Sequence, residues 1–289
     1  MPSPQFHSPD TVTGAVALLA ADPSARPLSG GTDLIVQMRA GRLAPGAIVD
    51  LKRIEGLQGV SRDGEAFVIG AATPCTALKA DAALAAAWPG VVEAANLIGS
   101  VQVRNRATMA GNLCNASPAA DSVPALVAAG AMAVVVGPDG ARHVPVEQIP
   151  AAPGKTTLAS GEFVYELRLP ARPAGGGDAY LRSTPRTEMD IAVVGVGVHL
   201  VLDAGGTCTS ARIALGAVGP KVTLVEQAGA QLVGTRLDDA ALAAMADAVR
   251  AASNPIDDKR GTVTYRKAMA GVLAVRAVKI AAARAGEAQ

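Results

Sequence analysis

Residues 104–121 read RNRATMAGNLCNASPAAD, a pair of arginines followed by a run of small and hydrogen-bonding side chains. Thr108, Ala110, Gly111, Asn112, Asn115, Ala116, Ser117 and Asp121 leave little bulk in the way of a large ligand. Gly111 permits close backbone approach or a positive φ. Successive backbone N–H groups in an irregular loop form an anion-binding concavity. The same composition also suits a tight surface loop ahead of a helix, and spacing alone does not choose between the two.

A second stretch, residues 26–39, reads RPLSGGTDLIVQMR. An apolar approach ends in Ser29-Gly30-Gly31-Thr32, and the periodicity predicts an amphipathic helix from about Asp33, with Leu34, Ile35 and Met38 on one face. Thr32 or Asp33 is expected to cap it. Strand, paired glycines and helix N-terminus form a layout that holds a phosphate, because free N–H groups point outward and the dipole favours negative charge. An ordinary strand-to-helix turn has the same layout. Asp33 argues against an anion unless its carboxylate is spent on capping.

At 289 residues the chain is long enough for two domains and a large core. Half its residues are hydrophobic but only 2% are aromatic, so Ala, Val, Leu and Ile must build the interior. A net charge of +1, with no basic block, argues against nucleic acid as a partner. The N-terminus lacks the charged n-region of a signal peptide, and the run from Val123 to Val136, broken by Pro124, is too short to span a bilayer. A cytoplasmic protein without a membrane span is expected.

Cys75, Cys114 and Cys208 are far apart and odd in number, so neither a disulfide framework nor an iron–sulfur ligand set is encoded, and no metal site is expected. Cys114 reads as a small buried filler. The histidines form no Ser/His/Asp arrangement: His7 is near the N-terminus, His143 lies in a polar hairpin, and His199 shares a strand face with Gly195 and Gly197. Gly195-x-Gly197 lacks the third glycine and the following helix of a dinucleotide fingerprint, and reads as a thin strand packed under something. No catalytic residue is assigned.

Strand-like runs at 46–51, 66–71, 131–137 and 163–169 alternate with helices, with a change of character near 55–60. Arg172 to Gly177 reads as a flexible Pro/Gly linker. Beyond it come strands at 179–183, 191–202 and 208–217 and helices at about 238–253 and 262–284, an α+β order with an antiparallel sheet.

Taken together, these segments resemble the FAD-carrying medium subunits of the molybdenum hydroxylases. That family includes bacterial carbon monoxide dehydrogenase, xanthine dehydrogenase and related aldehyde-, nicotine- and purine-oxidising enzymes. The resemblance runs in order through FHSPDTVTGAVALL, LSGGTDL, IGAATP, IGSVQVRNRATMAGNLCNASPAADSVPAL, GEFVYELRLP, PRTEMDIAVVG, IALGAVGP and DDKRGTVTYRKAMAGVLAVRAV, nearly the whole chain. It implies an α+β fold: a p-cresol-methylhydroxylase-type FAD-binding domain at 1–172, made of α/β subdomains at about 1–56 and 57–172, then a small α+β C-terminal domain with an antiparallel sheet at 178–285.

Carried over by position, Ser29, Gly30, Gly31, Thr32 and Asp33 form one FAD-gripping loop. Thr108, Met109, Ala110, Gly111 and Asn112 form the other, with Ser117 and Asp121 just beyond. The scarcity of aromatics leaves Tyr180 as a candidate to stack on the flavin, against the alternative of a packed tyrosine. The chain departs from the family at Ala110, where a glycine is usual, and at Lys221-Val222-Thr223-Leu224, where a Pro-x-Arg-like segment is common. No His or Cys is placed for an obvious covalent link, so noncovalent FAD is expected. The resemblance further implies electron transfer from 2Fe–2S clusters of a small subunit to NAD, a quinone or O2. It places the molybdenum–pterin cofactor in a large subunit, within a dimer of heterotrimers. The alternatives are a self-sufficient FAD oxidase of the vanillyl-alcohol-oxidase type and a non-catalytic FAD- or nucleotide-binding module.

Overall fold

The computed structural model describes residues 3–287. Short apolar runs near the N-terminus make a three-stranded parallel sheet: β1 (Gln5–His7) and β2 (Arg26–Leu28) flank β3 (Ala47–Asp50). The connections between them are α1 (Val12–Ala21), whose first turn is capped by Thr11, and α2 (Leu34–Arg39). A five-stranded antiparallel sheet follows. It is built from β4 (Val60–Asp63), β5 (Ala66–Gly70), β6 (Met132–Gly137), β7 (Gly140–Pro145) and, after the small hairpin β8 (Pro150–Ala152) and β9 (Lys155–Thr156), β10 (Phe163–Leu169). Between β5 and β6 runs a chain of short helices: α3 (Cys75–Ala80), α4 (Ala82–Ala87), α5 (Pro89–Asn96), α6 (Val101–Arg104), α7 (Met109–Cys114) and α8 (Ser122–Ala128). One core joins the two sheets and these helices, with Trp88 and Phe163 among its largest fully buried side chains.

The C-terminal part is a four-stranded antiparallel sheet, β11 (Gly176–Ser183), β12 (Val194–Leu202), β13 (Cys208–Gly216) and β14 (Thr223–Leu224). It is followed by α9 (Glu226–Ala230), α10 (Asp239–Ala252) and α11 (Val263–Glu287). The chain is therefore α+β, with parallel and antiparallel sheets first and an antiparallel sheet last. Among the described residues no helix is long and apolar enough to cross a membrane.

β12 shows why its sequence alternates. Val194, Val196, Val198 and Leu200 enter the second core with α10 and α11. The opposite face carries Gly195, Gly197 and His199, as a period of two requires. A Cβ on Gly197 would lie 2.3 Å from the Pro124 carbonyl oxygen, so the strand's thinness lets α8 lie directly on it. The C-terminal sheet is thus sandwiched between its own helices and helices of the N-terminal domain.

The stretch read as a flexible linker is held firmly instead. β11 begins inside it, at Gly176. The Arg172 guanidinium donates to the Gly176 carbonyl at 2.7 and 3.0 Å, to Asp178 at 2.8 Å and to the Ala87 carbonyl. Gly177 is a packing residue, because a Cβ there would sit 1.9 Å from the Ala281 carbonyl oxygen of α11. Arg212 crosses the same seam and donates to the Val127 and Ala128 carbonyls at the end of α8, of which Val127 also accepts the Gly130 N–H.

His199 is buried in this seam, its ring centroid 5.1 Å from that of Trp88. Burial first, then the Arg172 and Arg212 charges, push its pKa from 6.5 down to about 4. The unfolded chain takes up this proton near pH 6.5 and the folded chain only near 4, so the stability it contributes is present above pH 6.5 and lost as pH falls towards 4. The full effect is about 3 kcal/mol. Asp121 and Asp178, both raised by burial, act with the opposite sign. Denaturant midpoints of the wild type and His199→Gln between pH 7 and 4 should therefore converge as the pH falls. Parallel curves would show that His199 does not titrate differently on folding.

Candidate FAD site between two facing loops

The loop after β2 and the loop before α7 meet face to face. Gly30 makes the contact: a Cβ there would lie 1.9 Å from the Arg106 carbonyl oxygen, which only a glycine permits. Gly31 turns the chain into α2 with φ +76° and is wedged between Leu28 and Ile35. Lys52 steadies this loop, donating to the Ser29 carbonyl at 3.1 Å while paired with Asp50 at 2.5 Å. On the other side Thr108 caps α7, its hydroxyl oxygen accepting from Gly111 N–H at 2.9 Å. Gln37 on α2 donates to Asn115 Oδ1 at 2.9 Å and ties the two loops together.

Between the loops lies a cavity of about 320 Å³. Ser29, Gly30, Gly31, Thr32, Asp33, Thr108, Ala110, Gly111 and Asn112 all line it, so residues nearly eighty positions apart share one wall. Its most telling property is a set of unpaired donors. The backbone N–H groups of Gly30, Gly31, Thr32, Asp33 and Leu34 find no protein acceptor among the described residues, nor do those of Met109 and Ala110. Unpaired N–H groups at paired turns are what a diphosphate accepts from, so these residues fit an anionic dinucleotide.

Several expected roles change. Asp33 stands at the N-cap position of α2 but with helical backbone, φ −96° and ψ −49°, and its carboxylate makes no capping bond; Thr32 makes none either. The carboxyl lies on the cleft wall, where desolvation raises its pKa. Gly111 spends its N–H on Thr108. Asn112 clips α7 to α8, its Oδ1 accepting from Ser122 Oγ at 2.8 Å and Ser122 N–H at 3.2 Å. The Met109 side chain is in the core. Ser117 and Asp121 lie outside this cleft, and Tyr180 is a packed tyrosine, 3% exposed, whose hydroxyl donates to Asp121 at 3.0 Å. Arg182 donates to the other Asp121 oxygen at 2.7 Å. Cys114 lines the cleft, with burial pushing its thiol up to about 12, so it stays protonated near neutral pH.

The sequence reading missed Arg26, Leu43, Ile98, Leu158 and Phe163 on the cleft wall. They come from separate segments that share no local motif. Arg26, which opens the strand leading into LSGGT, carries the nearest thing to a signal.

A second cavity, of about 410 Å³, opens where the 117–119 segment faces the C-terminal domain. Ser117, Pro118 and Ala119 form one side, and Ile191, Ala217, Pro220, Asn254, Ile256, Arg260 and Arg266 the other. Ala116 and Ala217 flank it with φ of +50° and +64°, each costing roughly 1–2 kcal/mol for a residue with a Cβ. The Ala217 N–H to Pro118 carbonyl bond, 2.7 Å, locks the two strained segments together. Among the described residues no cluster of metal-ligating side chains is present.

The cleft fits an anionic dinucleotide, and comparison with known proteins extends over both domains. Residues 2–172 match the FAD binding domain in molybdopterin dehydrogenase, and residues 179–281 the CO dehydrogenase flavoprotein C-terminal domain. The chain is 38% identical to the carbon monoxide dehydrogenase medium chain of Afipia carboxidovorans over 284 residues, 97% of each chain. It is 30% identical to the xanthine dehydrogenase FAD-binding subunit of Escherichia coli O157:H7, again over 97% of each. Its structure superimposes on a chain of the cyanide-inactivated Cu,Mo-CO dehydrogenase with a TM-score of 0.94, at 37% identity and covering 98% and 99% of the two chains. Quinoline 2-oxidoreductase from Pseudomonas putida 86 gives 0.90 at 27% identity, covering 98% of both. The chain belongs to the FAD-binding medium subunits of the molybdenum hydroxylases, of the CO dehydrogenase and xanthine dehydrogenase type.

Proposed function

We propose that this subunit holds FAD noncovalently between its two facing loops and is the electron exit of a heteromeric molybdenum hydroxylase. The observation that carries the reading is the row of unpaired N–H groups, Gly30 to Leu34 opposite Ala110, around one cleft. These groups would hold the diphosphate, with Lys52 and the Gln37–Asn115 bond fixing the loops at their working separation. The apolar wall of Leu43, Leu158 and Phe163 suits the adenosine end. The flavin ring is assigned to the second cavity, reached along the 114–119 backbone, whose Pro- and Ile-lined surface suits a planar ring. FAD supplies the redox chemistry when bound, and the protein positions it and tunes it.

In this reading 2Fe–2S clusters of a small partner subunit deliver the electrons, the molybdenum–pterin cofactor sits in a large partner, and an external acceptor takes the electrons away. The relatives named as medium chains and as a FAD-binding subunit support that division of labour. The expected assembly is a dimer of such heterotrimers in the cytoplasm, where the free thiols of Cys75, Cys114 and Cys208 would remain reduced.

Denaturation should release intact FAD into the supernatant, because the cleft thiol, Cys114, stays protonated. Flavin remaining on the precipitate would contradict noncovalent binding. The isolated chain should oxidise no organic substrate. With both partner subunits added, substrate should bleach the flavin absorbance in a stopped-flow trace. Substrate turnover by the isolated chain would instead favour a self-sufficient oxidase.

A further inference from the structure

Among the buried polar side chains of the described residues, Arg266 is the only arginine or lysine, 4% exposed. It stands in the first turn of α11, where the Thr262 hydroxyl accepts the Tyr265 N–H at 3.2 Å. Its guanidinium reaches segments that are far apart in sequence. Nη1 donates to the Val193 carbonyl at 2.8 Å and to the Ala217 carbonyl at 3.1 Å. Nη2 donates to Asp258 at 2.7 Å, and Nε to the Gly261 carbonyl at 3.4 Å. Asp258 is itself held, accepting the N–H groups of Arg260 and Gly261 at 2.8 and 3.2 Å.

The segments that Arg266 joins form one wall of the second cavity: Ala192, Ala217 and Asp258 line it, as does Arg266 itself. Ala217 is the strained member, at φ +64°, and such a backbone persists only where its surroundings over-determine it. Here Arg266 fixes its carbonyl, while the Pro118 carbonyl accepts its N–H at 2.7 Å. Pro118 belongs to the N-terminal domain and lies on the opposite wall. One line of hydrogen bonds therefore runs from α11 through Ala217 to the segment that follows the second loop. A buried ion pair adds little net stability over apolar residues of the same volume. What a planar guanidinium adds is geometry, because its rigid fork of donors sets the directions of several acceptors at once.

We propose that Arg266 is a positioning residue for the flavin ring, fixing the wall of the second cavity from α11 without holding the cofactor itself. The proposal rests on the FAD reading above, with the ring in that cavity. Arg266 acts through backbone carbonyls, and the diphosphate is held by the two facing loops. Loss of the guanidinium therefore changes the surroundings of the ring far more than the amount of FAD bound.

The test compares the FAD-loaded full chain with Arg266→Gln, Arg266→Lys and, as a control, Arg284→Gln. Arg284 also projects from α11, but near its other end, where it pairs with Glu93. The readouts are FAD per chain, the visible circular dichroism of the flavin bands, and quenching of flavin fluorescence by acrylamide, an uncharged quencher that the lost charge does not bias. Arg266→Gln should keep most of its FAD, lose most of the visible dichroism and show a severalfold larger quenching constant. Arg266→Lys should fall in between, since an ammonium has three donors and no planar fork. Arg284→Gln should leave both flavin signals at wild-type values. Wild-type flavin signals in both Arg266 variants would overturn the proposal, as would equal changes in Arg284→Gln, because general loosening would then account for them. Loss of FAD from a folded Arg266→Gln chain would also overturn it, since Arg266 would then hold the cofactor. Should Arg266→Gln fail to fold, Arg266→Lys decides, and wild-type signals there overturn the proposal. A wild-type chain that binds no flavin fails the FAD assignment itself, whereas bound flavin that is indifferent to Arg266 fails this proposal alone.

Discussion

Gly30→Ala is expected to strip the chain of FAD while leaving its fold in place. The new methyl would fall 1.9 Å from the Arg106 carbonyl oxygen and 2.7 Å from its carbon, and both are backbone atoms that no rotamer change can move aside. The two loops must separate, and the unpaired N–H groups on either side then no longer converge on one diphosphate. Affinity should fall on the order of a hundredfold, equivalent to about 3 kcal/mol. Gly31→Val should act in the same direction through its φ of +76° and a clash 2.8 Å from Leu28 Cδ1. Gly111→Val acts through the cap, since its Cβ would meet Thr108 Oγ1 at 2.9 Å. Asn112→Ala unclips α7 from α8. Ala110→Gly should be tolerated. The checks are the ratio of flavin to protein absorbance and a far-ultraviolet dichroism spectrum. Full FAD content in the Gly30 and Gly31 variants would remove the loops from the site.

Asp121→Ala should produce the largest loss of stability. Asp121 sits buried between the Tyr180 hydroxyl and the Arg182 guanidinium, joining the segment after the second loop to β11 of the C-terminal domain. Truncating it leaves the Arg182 charge buried with its carboxylate partner gone, and breaking a buried pair in this way costs about 3–5 kcal/mol. Tyr180→Phe removes a neutral donor from the same carboxylate and should cost about 1 kcal/mol. Urea midpoints at pH 7 read both. An unchanged midpoint in Asp121→Ala together with lost FAD would make Asp121 a ligand contact rather than the interdomain tie described above.

The two loops were legible because close backbone approach writes itself into local sequence. LSGGTD and RATMAGN each carry small residues where backbone must come close, and both line one cleft. The alternation of β12 likewise placed Gly195, Gly197 and His199 on one face. What it packs against, the Pro124 carbonyl on α8, depends on a contact more than seventy residues away and has no local trace.

Where the sequence misled, one residue type was serving two physical purposes. Gly176 and Gly177 read as a flexible tether, yet they are small to admit Pro173 and Ala281 at close range. Asp121 follows the second loop closely in sequence but lines neither cavity, its carboxylate being taken by Tyr180 and Arg182, whereas Ser117 lines the second cavity instead of the first. Asp33 has the identity of a capping residue without the extended backbone that capping requires. The far wall of the cleft, with Leu158 and Phe163, is set by sheet packing and left no motif to find.

The most direct test of the central claim is the flavin content of the purified, FAD-reconstituted chain after gel filtration. One FAD per chain, released intact by denaturation and largely lost in Gly30→Ala, is the result expected from two loops closing on a diphosphate. A wild-type chain that emerges well folded and free of flavin would contradict it.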